Sequence, residues 1–259
     1  MWIFCCGMRR SGSTLQYQIT AHLVESAGRG NRVDWVKPGD FPALARQHAN
    51  VEGWKVFKNH VCTKAMAEEF HRQNALGVYC YRDPRDVVAS SLQKWSFSFD
   101  GLWQSGVLQQ DLENYKKWTR LPGVLVSKYE EMIRDLPAEV SRIAQHLQVP
   151  LERDGAEQIA AEYSLTRQRE RIELSTQGDN LRDGFGQDRF DRHTLLHTNH
   201  IRSGAVGGWR EVLSPPEVAV IEHQLGDWLQ AHGYELSLGR IERNWLLLRR
   251  YAGRLARRH

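Results

Sequence analysis

Residues 2–6, WIFCC, are an unbroken apolar run that ends in a glycine-containing loop; from Ser13 onward the apolar period changes, with Leu15, Ile19 and Leu23 four apart. A continuous apolar run of this length suits a strand buried on both faces, as in a parallel sheet. A four-residue repeat suits one face of a helix. Strand, loop and helix in that order make a βα unit, and the pattern recurs. WKVFK (54–58), LGVYCY (76–81) and GVLVSKY (123–129) read as strands. Residues 63–75, 85–95, 105–119, 137–148 and 151–163 read as helices, with Pro137 suited to a first turn. Repeated β-then-α predicts a three-layer α/β fold built on a doubly wound, mostly parallel sheet.

A chain of 259 residues, 41% hydrophobic and 25% charged, can bury one such core. Residues 1–239 are therefore expected as one domain. Within them the pattern fails from 164 to 200, a polar, glycine-punctuated stretch expected as a mobile loop on the acceptor side. A helix is expected again from Pro215 to His232, and a basic amphipathic one over 240–259. The formal charge is +4, but residues 240–259 hold seven Arg and one Glu, +6, which leaves −2 for the rest. That distribution argues against a general nucleic-acid surface. The four cysteines form no metal-ligand spacing, and three lie in apolar runs, as expected of a reducing compartment. With no long apolar segment, the chain reads as cytoplasmic.

Four stretches carry chemistry. GMRRSGST (7–14) nearly spells the phosphate-loop pattern G-x-x-x-x-G-K-[ST], with Ser13 in the lysine position. Loop amides before a helix attract anions, and Arg9, Arg10, Ser11, Ser13 and Thr14 add charge and hydroxyls. The plainer reading is a glycine turn with exposed arginines. In YRDPRDVVASS (81–91), Arg82 leaves a strand where ligands collect in open α/β sheets, and Ser90 follows in the next helix. Asp83-Pro84 alone would equally start a helix. KNH (58–60) ends another strand, so Lys58 and His60 point the same way from extended backbone, although a lone histidine is more often structural. HIRSGAVGGWREVLSPPE (200–217) is cationic and glycine-rich, the weakest signal of the four.

Together these stretches resemble the sulfotransferases that use 3′-phosphoadenosine 5′-phosphosulfate (PAPS). RRSGST (9–14) resembles the family's 5′-phosphosulfate loop, with Arg10 at its Lys/Arg position and Arg9 replacing its proline. KNH is similar to the K-T-H of the cytosolic branch. RDPRDVVAS (82–90) resembles the 3′-phosphate motif, placing Arg82 and Ser90 on that phosphate. RSGAVGGWR (202–210) is similar to R-K-G-x-x-G-D-W-K, which implies cofactor contacts for Arg202, Ser203 and Gly204. YEEM (129–132) resembles the Y-E-D-M whose Tyr, here Tyr129, lies near the adenine. The loop as a whole, Gly12 included, would cradle the 5′-phosphosulfate. Three departures stand out: Leu15 for a tryptophan, Arg10 for the cytosolic Lys, and Ser203 for a Lys.

The resemblance implies sulfuryl transfer from PAPS to the hydroxyl of a saccharide or other small acceptor, without a metal. His60 would take the hydroxyl proton, and Arg10 and Lys58 would stabilise the leaving oxygen. The rival readings are a nucleotide-binding module without catalysis and a small-molecule kinase; the kinase needs the lysine that Ser13 replaces and an acidic magnesium ligand. WSFSFDGLW (95–103) follows the cofactor helix, and its four rings are expected to divide between core and acceptor contact. In the last helix Ile241, Trp245, Leu248, Ala252 and Leu255 share a face. That stripe either docks on the body or rests peripherally on an anionic membrane. Oligomeric state is not encoded in any of these features.

Overall fold

The computed structural model describes residues 1–33, 35–175, 181–183, 189–191, 193–197 and 204–256. Along the chain, β1 (Trp2–Gly7) leads to α1 (Ser13–Ser26), β2 (Gly30–Arg32), α2 (Phe41–Gln47), β3 (Trp54–Lys58), α3 (Lys64–His71) and β4 (Ala75–Tyr81). Then come α4 (Pro84–Trp95), α5 (Phe99–Gln104), α6 (Val107–Trp118), β5 (Val124–Lys128), α7 (Tyr129–Arg134), α8 (Leu136–His146), α9 (Gly155–Glu162) and α10 (Leu165–Ser175). A two-stranded ribbon, β6 (Leu181–Asp183) and β7 (Arg189–Asp191), precedes α11 (Trp209–Val212), α12 (Pro215–Ala231) and α13 (Arg240–Ala256). Two compact units divide these elements: Met1–Arg82 with Gln109–Gly204, and Asp83–Leu108 with Ala205–His259.

The first unit holds the sheet, which among the described residues has five parallel strands in the order β2-β3-β1-β4-β5. Alternation along β1 explains its two covered faces. Ile3 and Cys5 join Val56 and Val78 in a core closed by Ile19 and Leu23 of α1, Val140 and Ile143 of α8, and Ile159 of α9. Trp2, Phe4 and Cys6 join Phe57 and Tyr79 in an opposite core closed by Phe41 of α2, Phe70 of α3 and Trp118 of α6. The expected three-layer fold is thus present. All four cysteines are buried free thiols; burial pushes Cys5 up to about 12 and Cys62 up to about 11.

The strand order places a switch point at β1: the chain fills one side with β3 and the other with β4, so the loops at the carboxyl ends of these strands diverge around a crevice. In register, Cys5 lies opposite Lys58, Gly7 opposite Cys80, and Tyr81 opposite Lys128.

The stretch from 164 to 200 is not the uniform loop its polarity suggested. It contains α10 and the β6–β7 ribbon. Their anchor is polar: the Gln168 amide donates to Gln18 Oε1 at 2.5 Å, and Gln18 Nε2 donates to the Thr194 carbonyl at 2.9 Å. A helix held by a buried glutamine carries no apolar period. Leu196 adds a small apolar plug.

Candidate functional site

The loop between β1 and α1 has its shape because two of its residues are glycines. A Cβ on Gly7 would lie 2.6 Å from the Cys80 carbonyl oxygen and 2.8 Å from Ser13 Cβ, closer than real side chains approach. Gly12 takes φ +85°, and a Cβ there would meet the Tyr129 ring at 2.6 Å. Arg10, between them, also has positive φ, 63°, a conformation that non-glycine residues adopt where the surroundings impose it. Gly12 is the N-cap of α1 and supplies no side-chain cap, and the first turn carries no acidic residue. The helix therefore presents its positive end with Ser13 and Thr14 buried in the first turn.

Two loop residues, both expected as cofactor contacts, are held by the protein itself. Arg9 Nη1 pairs with Asp111 Oδ1 at 2.5 Å, its Nη2 donates to Gln110 Oε1 at 2.7 Å, and its backbone N–H donates to Asp111 Oδ2 at 3.1 Å. The Ser11 hydroxyl is fully buried, 2.7 Å from the Met8 carbonyl and 2.8 Å from that of Cys80. Both side chains fix the loop's shape. Burial pushes the Asp111 carboxyl up to about 6 although the Arg9 cation opposes it.

Hydrogen bonds and a ring contact join residues of five of the sequence stretches within the first unit. Buried Arg82, just past β4, donates from Nη1 to the Arg10 carbonyl at 3.3 Å, and its guanidinium lies 4.3 Å from the centroid of the Tyr129 ring. Tyr129, just past β5, donates its hydroxyl to the Gly204 carbonyl at 2.9 Å. His60, just past β3, has Nδ1 at 2.8 Å from the Gly7 carbonyl. A carbonyl only accepts, so Nδ1 carries the proton and Nε2 the lone pair. Lys58 Nζ stands 3.2 Å from that Nε2. Burial, and next the Lys58 cation, hold the His60 imidazole well below its ordinary range. Burial also brings the Lys58 ammonium down to about 8. The pair is poised as a neutral imidazole beside a readily discharged cation.

A helix that motif reading passes over supports this arrangement. From α6, Trp118 Nε1 donates to the His60 carbonyl at 3.3 Å, and Asn114 Oδ1 accepts from the Cys62 N–H at 2.8 Å. Leu108, Asp111, Leu112, Tyr115 and Trp118 share one face at helical spacing, so an aspartate on that apolar face was the signal available in the sequence.

Ser90 belongs to the second unit, half-buried in α4. In that unit Asp86 accepts from the Gly207 N–H at 2.8 Å and the Trp209 N–H at 3.0 Å, tying the glycine-rich segment to the first turn of α4. Arg85 bridges Asp83 and Glu222 beneath it. Arg202 and Ser203 lie outside the described residues. Of the four rings from the end of α4 onward, Phe99 is buried and stacks on Trp103 at 5.5 Å, while Phe97 is exposed and Trp95 half-buried.

The model of the sulfotransferase domain family matches residues 2–232. The chain belongs to that family. Solved structures that share its fold include retinol dehydratase in a complex with retinol and PAP, with a TM-score of 0.60 and 17% identity over 92% of this chain and 83% of that one. Retinol dehydratase in complex with androsterone and inactive cofactor PAP is similar to the same degree, at 0.60 and 17% over 92% and 82%. Mouse sulfotransferase SULT7A1 complexed with PAP gives 0.65 and 13% over 88% and 84%. No curated protein sequence matches the chain. In this sulfotransferase, as the register shows, the motif residues Gly7, Lys58, Arg82 and Tyr129 end or follow four adjacent parallel strands.

Proposed function

We propose that this sulfotransferase moves a sulfuryl group from PAPS to the hydroxyl of a saccharide or other small acceptor, with His60 as the base. The observation that carries the reading is the pair His60–Gly7 and Lys58–His60: one carbonyl sets the imidazole tautomer, and the ring's basic nitrogen stands beside the cation that the donor's anionic group would attract. The residues fit the donor. The uncapped, glycine-shaped start of α1 suits the 5′-phosphosulfate, with Arg10, Ser13 and Thr14 around it. The motif resemblance gives Arg82 to the 3′-phosphate and Tyr129, whose ring lies 4.3 Å from that guanidinium, to the adenine. Arg9 and Ser11 act on the shape of the cradle rather than on the phosphate itself.

PAPS supplies a sulfur carrying a good leaving group, the bridging oxygen of the 5′-phosphate. The chain's task is to orient the attacker, take its proton and meet the charge on the leaving oxygen. Lys58, drawn to the incoming anion, uncovers His60 Nε2. The acceptor oxygen then forms its bond to sulfur while the bond to the bridging oxygen breaks, and the hydroxyl proton passes to Nε2. Charge on the departing bisphosphate falls to Lys58, Arg10 and the loop amides, where loss of one such donor typically costs about 3–4 kcal/mol of barrier. Retinol and androsterone, found in two complexes of one fold relative, retinol dehydratase, are both alcohols, which supports a hydroxyl as the acceptor.

Thermal unfolding with nucleotides tests the donor assignment. Adenosine 3′,5′-bisphosphate at a hundredfold excess over Kd should stabilise by about 2.7 kcal/mol. For a chain of this size that is a rise in Tm of roughly 5–10 °C. ATP with magnesium should do little. Equal stabilisation by ATP would favour a kinase and end the proposal.

A further inference from the structure

Helix α13 turns its charged side inward and its apolar side outward. Toward its own unit it sets buried Leu246, with Arg250 over the Phe99 ring and paired with Asp100, and Arg243 in a polar cleft with Glu222 and Asp227. On the opposite side Ile241, Trp245 and Leu248 are exposed at 88%, 51% and 71%, Ala252 continues the stripe, and Tyr251 borders it. Of the two expectations for this stripe, docking on the body or resting on an anionic membrane, the first does not hold for Ile241, Trp245 and Leu248, which are exposed. Arg249 lies over the Trp245 ring at 4.6 Å, and exposed Arg240 stands at the other margin.

A contiguous apolar stripe of this kind calls for an occupant, and charge selects it. Residues 240–259 carry +6 on a chain whose remainder carries −2. Pairing two such stripes in a dimer would press two +6 segments together. An anionic bilayer instead supplies the opposite charge to the arginines at the margins of the stripe. It also takes aromatic residues at the depth where Trp and Tyr settle, and lets arginines extend to the headgroups. None of the described helices is long and apolar enough to cross a membrane, so such a helix would lie in the interface plane. We propose that α13 lays Ile241, Trp245 and Leu248 on the surface of an anionic lipid bilayer, with Arg240 and Arg249 against the headgroups.

The test uses the whole chain and sedimentation with vesicles of phosphatidylcholine, alone or mixed with phosphatidylserine, alongside sedimentation velocity without lipid. The protein should bind the mixed vesicles and leave the neutral ones. Trp245→Ala with Leu248→Ala should weaken binding roughly tenfold to a hundredfold, through lost apolar burial. Arg240→Gln with Arg249→Gln should weaken it about fivefold for each charge removed, and raised salt should act the same way. The altered side chains are exposed, so the melting curves should match wild type. Absence of binding, equal binding to both vesicle types, or binding indifferent to both variant pairs would each overturn the proposal. So would a lipid-free dimer that Trp245→Ala/Leu248→Ala dissociates, which would assign the stripe to a second copy.

Discussion

Nucleotide binding should draw a proton into the site above neutral pH, and Lys58 should be its destination. Burial brings the Lys58 ammonium down to about 8 in the free protein. At pH 8 about half the molecules then lack the charge, and at pH 9 about nine-tenths do. A bound 5′-phosphate beside the amine favours the charged form, so binding fills the missing proton. The sign is fixed: affinity holds below about pH 8 and falls by up to about tenfold for each unit above it. Titration calorimetry of adenosine 3′,5′-bisphosphate in buffers of different ionisation enthalpy measures the uptake directly. About half a proton is expected at pH 8, rising toward one at pH 9. The nucleotide's own phosphates titrate near pH 6 and stay out of this window. Lys58→Arg keeps its charge at every working pH and should abolish the uptake. A flat profile from pH 7 to 9, or the same uptake in Lys58→Arg, would refute the placement of Lys58 on the phosphate and its depressed basicity.

The Arg9–Asp111 pair makes a second prediction. If Arg9 shapes the loop, Arg9→Ala and Asp111→Asn should each weaken bisphosphate binding, and the double variant should be little worse than either, because both break one charge-assisted bond of roughly 1.5–3 kcal/mol. Tighter binding by Asp111→Asn would instead mark Arg9 as a phosphate ligand released from its partner. Asp86→Ala should leave the buried Trp209 N–H and the half-buried Gly207 N–H without their acceptor, lower the stability of the second unit by roughly 1–3 kcal/mol and weaken the nucleotide, with Asp86→Asn between. An unchanged melting curve and unchanged affinity would show that the glycine-rich segment holds its place without Asp86.

The sheet was legible because strands buried on both faces are nearly all apolar: WIFCC and LGVYCY contain β1 and β4 nearly to the residue, and WKVFK is β3 despite its two buried lysines. The edge strand Gly30–Arg32 was not, since three polar or glycine residues, unburied and paired on one side, carry no apolar pattern. Helix α10 escaped for the related reason that its buried contact is an amide rather than a leucine. The motif residues were found by type and spacing, which identify candidates but not the direction in which a side chain points. Arg9 and Arg10 look alike in the sequence. Only packing against α6 shows that one is tied to Asp111, whereas the other sits at positive φ with its carbonyl under Arg82. The apolar spacing in α13 is visible in the sequence, but which side faces its own unit depends on Asp100 and Phe99, far away in the chain.

The central claim is sulfuryl transfer with His60 as the base, and mass spectrometry of acceptor mixtures incubated with purified protein and PAPS tests it most directly. An acceptor heavier by one sulfuryl group should appear, with one adenosine 3′,5′-bisphosphate released per transfer. The His60→Ala variant should be about 10²–10⁴-fold slower and still bind the bisphosphate as wild type does. Transfer by His60→Ala at the wild-type rate would contradict the base. A protein that binds the bisphosphate yet sulfates nothing in a broad panel of saccharides, sterols and phenols would contradict the claim itself.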